Sequence, residues 1–258
     1  MRRALIVGGA NGIGLAIAAL MAERSDVERV YVVDKASLNR EDLPSQQVVD
    51  KLQSFQFDLL KDDYAFFDRF TDIDTLMITA GRGRMELFAN VSEEEIIQTM
   101  NLNATSTMCI IKRFYPRLMS TTDDFRCGAM VSIAGYLSSP FYSVYAASKA
   151  AQRIFIESVN TELTKAGTTN RILNVSPGSI RGTRFNGASH TQLDLLRPLA
   201  TEIISHLEAK DDLFIPKYDE VYHDVLDRYH ADFRREGLHS YDYKLKTKNE
   251  RRQENEKP

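Results

Sequence analysis

The chain has 258 residues, 43% hydrophobic and 27% charged, with a net charge of −3; this length suits one large α/β domain or two small ones with a sizeable core. The near balance of charge speaks against a polybasic nucleic-acid binder and against a disordered chain, and no apolar run reaches the length of a membrane span. Cys109, Cys127 and five scattered histidines make neither a disulfide framework nor a metal motif, which suits a reducing cytoplasm.

The opening segment, "MRRALIVGGANGIGLAIAALMA", has the charge and apolar content of a secretory signal. Gly8, Gly9, Asn11, Gly12 and Gly14 interrupt the apolar run as a structured turn would, so the segment is read as mature protein. Short β-rich runs then alternate with helical segments, the strands being expected at 4–7, 29–34, 55–57, 75–79, 129–133, 171–176 and 213–215. This alternation predicts a parallel sheet covered by helices on both faces, with right-handed crossovers. Gly167 is placed to end the long helix that begins near Tyr145.

Residues 1–218 are expected to form one α/β domain, with 219–258 as an extension of it. In that extension Tyr222, Leu226, Tyr229 and Phe233 recur at four, three and four places and form one apolar stripe. The stripe is expected to pack on its own domain rather than on a partner subunit. The final "KLKTKNERRQENEKP" is charged, nearly free of apolar residues and expected to fray.

The first turn follows Gly8-x-x-x-Gly12-x-Gly14 and includes Asn11 and Ile13. Glycines there permit unusual dihedrals and let backbone N–H groups approach a pyrophosphate at a helix N-terminus. The spacing is not G-x-G-x-x-G, because Ile17 stands where that pattern wants Gly or Ala; alone, the turn fits a bare strand-to-helix connection equally well. Asp34 closes the second strand twenty places past Gly14. A carboxylate there can bond the adenosine ribose hydroxyls of NAD and repel the extra phosphate of NADP, so NAD is expected. The adjacent Lys35 softens that repulsion. Asp58, followed by Leu59, is either an adenine contact or an ordinary helix N-cap.

Tyr145 and Lys149 lie four apart, on one helix face, among the small Ala146, Ala147 and Ser148. A cation within reach can lower an acid's pKa by about 1–3 units, which brings a phenol toward the range of general acid–base chemistry. Ser132 stands thirteen places earlier, near the carboxyl end of the candidate fifth strand, where ligands of open α/β sheets bind.

Taken together, the glycine turn, Asp34, Asn101 in "TMNLNAT", Ser132 in "VSIAG", Tyr145-x-x-x-Lys149 and Pro177-Gly178 in "NVSPGSI" resemble the classical short-chain dehydrogenases/reductases over residues 3 to 183. The resemblance implies a single doubly wound Rossmann-like domain with a mostly seven-stranded parallel sheet. It also implies an Asn101-Ser132-Tyr145-Lys149 tetrad. Tyr145 would act as acid or base at the substrate oxygen and Ser132 would steady that oxygen. Lys149 would lower the phenol's pKa and hold the nicotinamide ribose, and Asn101 would support a proton-relaying water. Ala80 and Gly81 would pass beneath the cofactor, and Pro177, Gly178, Ile180 and Thr183 would border the nicotinamide.

Several positions depart from the family's pattern. Val7 replaces a threonine, Ile78-Thr79 replaces Asn-Asn, and Thr183 comes one place late, behind Gly182. No "VDGG" strand follows; an atypical aromatic helix and charged tail stand in its place, and the seventh strand is expected to be short.

The resulting expectation is an NAD-dependent oxidoreductase that interconverts a secondary alcohol and a ketone. An extended-type epimerase or dehydratase and a dinucleotide-sensing regulator are the alternatives. Ser132, Leu137, Tyr142, Tyr145 and Met85 are expected at the substrate, under a loop and helix from 183–199. Arg82 and Arg84 either meet an anion or are solvated. An acyl-carrier reductase is disfavoured, because such enzymes usually take NADP and carry the missing motif. The helices at 92–118 and 143–166 resemble those that pair subunits in the family, which implies a homodimer or homotetramer, with no nucleic acid or membrane as partner.

Overall fold

A computed structural model of the chain describes residues 1–183 and 190–255. One sheet is built from β1 (Arg3–Val7), β2 (Arg29–Asp34), β3 (Leu52–Gln56), β4 (Thr75–Ile78), β5 (Arg126–Met130), β6 (Ile172–Val175) and β7 (Leu213–Phe214). All neighbours are parallel, in the order β3-β2-β1-β4-β5-β6-β7. The chain therefore winds outward from β1 to β3, returns to β4, and winds the other way. That reversal opens a crevice at the carboxyl ends of β1 and β4, where ligands of such sheets bind.

The central strands are apolar on both faces because helices cover both. Ala4 and Ile6 of β1 face α1 (Gly12–Glu23) and α6 (Leu193–Ala209), in a core with Ile17, Met21 and Ile203. Leu5 and Val7 face the opposite core, where α4 (Ser106–Met119) and α5 (Ser143–Lys165) contribute Ile110, Phe114, Ile156 and Leu163. Each such Leu or Ile, fully buried, contributes about 1.5–3 kcal/mol. Gly167, at φ +80, ends α5 as expected.

The element boundaries differ from the sequence reading in informative ways. β5 begins at Arg126 and ends at Met130, so Ser132 lies in the loop beyond the strand rather than inside it. Between β3 and β4 no long helix forms. A short 3-10 segment, Tyr64–Arg69, instead presents Phe66, Phe67 and the following Phe70 to Phe55 and Phe57, with ring centroids 4.8–5.9 Å apart. Aromatic packing fills that layer in place of a helical face. β7 has two residues, the shortened strand expected there.

After β7 come α7 (His223–Ala231) and α8 (Phe233–Asn255). Extended backbone at Asp232 (φ −155, ψ 93) separates them, and its carboxylate accepts the N–H groups of Arg234 (3.1 Å) and Arg235 (3.0 Å), capping α8. This break divides the expected stripe: Tyr222 and Leu226 pack with Ile133, Ile215 and Leu137, whereas Phe233 is exposed. The tail expected to fray is helical through Asn255. Among the described residues no helix is long and apolar enough to cross a membrane.

Candidate active site

The glycine turn is shaped by close backbone approach. A Cβ on Gly8 (φ +86) would collide with the backbone of Ala80, and one on Gly14 would collide with Gly8 O and Thr79 Oγ1. Gly12 differs: its nearest neighbour, Thr183 Cγ2, is 3.7 Å from a built Cβ, so its requirement is the positive φ of +55. The Thr79 hydroxyl donates to Val7 O (3.1 Å) and Gly8 O (3.0 Å), supplying the turn bonds that the missing asparagine left in question. The Gly12 N–H donates to Thr191 Oγ1 at 2.8 Å.

Asp34 ends β2 with each oxygen fixed by backbone: Oδ2 accepts from Ala10 N (3.0 Å) and Oδ1 from Ala36 N (2.9 Å). The Lys35 ammonium turns to Asp58, at 3.2 Å, and is otherwise largely in solvent. Asp58 caps a tight turn, accepting the Leu60 N–H at 3.1 Å; that bond first, then Lys35, holds its carboxyl below the usual range. No helix follows it, so the N-cap alternative reduces to a turn.

Ser132, Tyr145 and Lys149 line one cavity with this turn. Ser132 Oγ accepts the Ala134 N–H (3.1 Å), donates to Pro177 O (3.4 Å) and is hydrogen-bonded to the Tyr145 phenol. Lys149 is buried, and its Nζ donates to Met130 O and Gln152 Oε1, each at 2.8 Å. Burial pushes its pKa from 10.5 down to about 7, so it can exchange a proton near neutrality. The expectation that Lys149 depresses the phenol is not met in this state. Burial pushes Tyr145 up, the Ser132 hydrogen bond pulls it down, and Tyr142 adds to the rise. The lysine's head stands 5.7 Å from the Tyr145 ring centre, turned toward its two carbonyl partners.

Asn101 requires correction. Its side chain is exposed and accepts from Thr105 Oγ1 at 3.4 Å, away from the cavity. Asn103, two residues on, is fully buried: its Oδ1 accepts the Arg82 N–H (2.9 Å), and its Nδ2 donates to Arg82 O (2.8 Å) and Ser148 Oγ (2.9 Å). A Cβ built on Gly81 would lie 3.2 Å from Asn103 Oδ1 and 3.4 Å from Lys149 Nζ, which sets both groups behind that glycine. The helix 93–119 carries a π turn at Asn101–Thr105 between α3 (Glu93–Met100) and α4, and this sets the phase that turns Asn103 inward.

A model of the short chain dehydrogenase family matches residues 2–194 of the chain. The protein belongs to this family of oxidoreductases. It is 27% identical over 190 residues to a 3-oxoacyl-acyl-carrier-protein reductase of Chlamydia trachomatis, covering 69% of this chain and 74% of that one. It is likewise 27% identical over 191 residues to a sepiapterin reductase of Chlorobaculum tepidum, covering 68% and 76%. A short chain dehydrogenase of Burkholderia cenocepacia, solved with NADP, superposes with a TM-score of 0.73 at 22% identity, over 93% of this chain and 98% of that one. An alcohol dehydrogenase of the archaeon Thermococcus sibiricus, complexed with 5-hydroxy-NADP, gives 0.68 at 18%, over 83% and 95%. These two likenesses establish the fold.

In this short-chain dehydrogenase the cavity measures about 940 Å³ and runs from the glycine turn past Tyr145 to the C-terminal helices. Leu59, Ala80, Gly81, Pro177, Gly178, Ile180 and Thr183 all line it, as do Met85, Leu137 and Tyr142. Thr183 is buried and its hydroxyl donates to Ile180 O at 3.0 Å. Arg82 also reaches the lining, whereas Arg84 pairs with Glu95 at 3.1 Å outside it. Of the expected covering segment 183–199, residues 184–189 lie outside the described residues.

Four contributors were not read as site residues from the sequence. Gln152 links Lys149 to the Thr107 hydroxyl (2.8 Å) beneath the site. Tyr222 packs on Gly178, where any side chain would strike its phenol. From α8, Tyr243 and Lys244 close the cavity's far side. The Tyr–Lys spacing could have pointed to Gln152, one further helical step away; no local signal marks the others.

Proposed function

We propose that this chain is an NAD-dependent oxidoreductase that interconverts a secondary alcohol and a ketone. The observation that carries the reading is the meeting of Ser132, Tyr145 and Lys149 with a glycine cradle and Asp34 in one cavity. The residues suit a dinucleotide: the crowded Gly8 and Gly14 leave backbone rather than side chains facing the cavity, at the N-terminus of α1. Gly8, Asn11, Gly12, Ile13 and Gly14 would hold its pyrophosphate, Asp34 its adenosine ribose and Lys149 its nicotinamide ribose. When bound, it would supply the two-electron acceptor for the hydride lost from the carbinol carbon.

Tyr145 takes the hydroxyl proton during oxidation and returns it during reduction, while Ser132 donates to the same substrate oxygen. In the free site the hydrogen bond between Ser132 and Tyr145 opposes the effect of burial on the phenol. Lys149 passes a proton onward at Nζ. Asn103, rather than Asn101, positions the lysine side of the site through Ser148 and Gly81.

NAD is favoured over NADP because the Asp34 carboxylate is pinned at the ribose end, with the nearest cation, Lys35, engaged by Asp58. The segment 219–258 extends the same domain, since Tyr222 and Leu226 join the cluster around Ile133. Exposed Ile97 of α3 and Ile154 of α5 provide apolar surface that a homodimer or homotetramer would cover. The free thiols Cys109 and Cys127 fit a cytoplasmic site of action.

The test is a panel of secondary alcohols offered with NAD and, separately, NADP, followed by the appearance of reduced nicotinamide. Turnover with NAD at the lower KM is expected. Preference for NADP would overturn the cofactor assignment, and no turnover with either would overturn the reaction.

A further inference from the structure

The C-terminal roof carries a cation that the chemistry above does not use. Lys244, on α8, points into the cavity, where its Nζ donates to Ser139 Oγ at 2.7 Å and lies 5.6 Å from the centre of the Tyr142 ring. Tyr142's ring is in turn 5.9 Å from that of Tyr145, so a single aromatic ring separates the ammonium from the reacting phenol. Lys244 forms no ion pair among the described residues. Glu236, the carboxylate nearest to it in sequence along the cavity wall, is held by Arg228 at 2.9 Å and lies 3.7 Å from His239. The other lining carboxylates, Asp34 and Asp58, sit at the dinucleotide end.

An ammonium presents three donors, of which Ser139 receives one. Burial pushes Lys244 from 10.5 down to about 8, which reflects the cost of holding the charge among neutral groups. An anion brought within a few ångströms would offset that cost and restore full protonation. Neither Arg82 nor Arg84 offers the same: Arg84 is paired with Glu95, and Arg82 is turned to Thr99 Oγ1 and Glu95 O.

We propose that Lys244 binds a carboxylate on the substrate, at the end remote from the carbon that reacts at Tyr145, so that the substrate class is an oxo or hydroxy acid rather than a neutral ketone or alcohol. The position of the reacting carbon rests on the oxidoreductase reading; the anion site rests on α8 alone. The two are tested separately.

The probes are 4-oxopentanoate, 6-oxoheptanoate and 8-oxononanoate, each with its methyl ester, reduced with NADH by the full chain and by Lys244→Met and Lys244→Arg. A charge-assisted contact of this kind is expected to lower KM for the best-fitting acid about 10- to 100-fold relative to its ester. Lys244→Met should abolish that preference by raising the acid's KM to that of its ester, and Lys244→Arg should keep most of it. Equal KM for acid and ester in the native chain, or a preference that survives Lys244→Met, would overturn the proposal. Calorimetric titration of the same acids and esters without turnover gives the second readout. Acids that bind the native chain but not Lys244→Met uphold the anion site even where no ketone is reduced, an outcome that defeats only the reaction. Esters that are reduced as well as acids, with no Lys244-dependent binding, defeat the anion site and leave the reaction standing.

Discussion

The floor of the cavity is assembled from the carboxyl ends of β1, β4 and β5 and their loops, whereas the roof is assembled from side chains of α7 and α8. On the floor, glycines at positions 8, 14 and 81 bring backbone and buried polar groups so close that an added methyl has little or no room. In the roof, Tyr222, Tyr243 and Lys244 reach the cavity from helices that make no sheet hydrogen bonds and whose other faces meet solvent. The family match ends at residue 194, so it spans the floor and stops before the roof. Under the proposed function, the difference puts proton exchange and dinucleotide binding in the part with least steric freedom, and substrate selection in the part with most.

The sharpest way to break this division is Tyr145→Phe. It should lower kcat by about 10³-fold or more, since general acid–base groups contribute 10²–10⁴, while the dissociation constant for NAD stays within about twofold. A comparable loss from Tyr222→Phe in the roof would erase the distinction. Next in size, Gly8→Val should destabilise the fold by about 3 kcal/mol or more in chemical denaturation, from positive-φ strain and collision with Ala80. Lys244→Met should change stability by less than a third of that.

A smaller contrast lies within one helix. Asn103→Ala should cost about 1–3 kcal/mol of stability by leaving the Arg82 N–H and Ser148 with missing partners, and should lower kcat as well. Asn101→Ala should fall within about 0.5 kcal/mol of the native chain. Equal effects from both would erase the distinction, and a larger one from Asn101→Ala would return the assignment to Asn101.

The last contrast concerns pH. Lys149 titrates at about 7 in the fold against 10.5 ordinarily, so between those values the unfolded chain binds the extra proton. Stability from this group therefore rises with pH across that window and is flat below it. Measured from pH 7 to 10, the native chain should gain stability relative to Lys149→Met; parallel curves would show that the buried lysine keeps its ordinary pKa.

Much of the floor was legible in the chain because its constraints are local. A glycine turn between a strand and a helix, and a phenol one helical turn from an amine, are fixed by spacing alone. The motif reading named Asn101 alone; Asn103, two residues on, differs from it in helical phase. Asn103, Thr107, Ile110, Phe114 and Leu118 form the buried stripe of that helix, and Asn101 falls outside it. That phase depends on the π turn at Asn101–Thr105, which the motif alone does not give. Ser132 was placed within its strand because the apolar run "AMVSI" continues past the last paired residue, Met130.

The roof was not legible, for a physical reason. The turn at Asp232 depends on a carboxylate capping two backbone N–H groups, and the position of Lys244 depends on how α8 docks against Ser139 and Tyr142. Contacts between residues more than a hundred places apart leave no periodic trace in the sequence, so a helix read as frayed proves to close the cavity.

The central claim is that Tyr145, on the floor, exchanges the proton while hydride leaves the substrate carbon for NAD. A secondary alcohol carrying deuterium at the carbinol carbon tests it most directly, with mass spectrometry of the dinucleotide after turnover. The account predicts one deuterium on the reduced dinucleotide from the native chain and none from Tyr145→Phe. Label released to water by the native chain, or transferred undiminished by Tyr145→Phe, would contradict it.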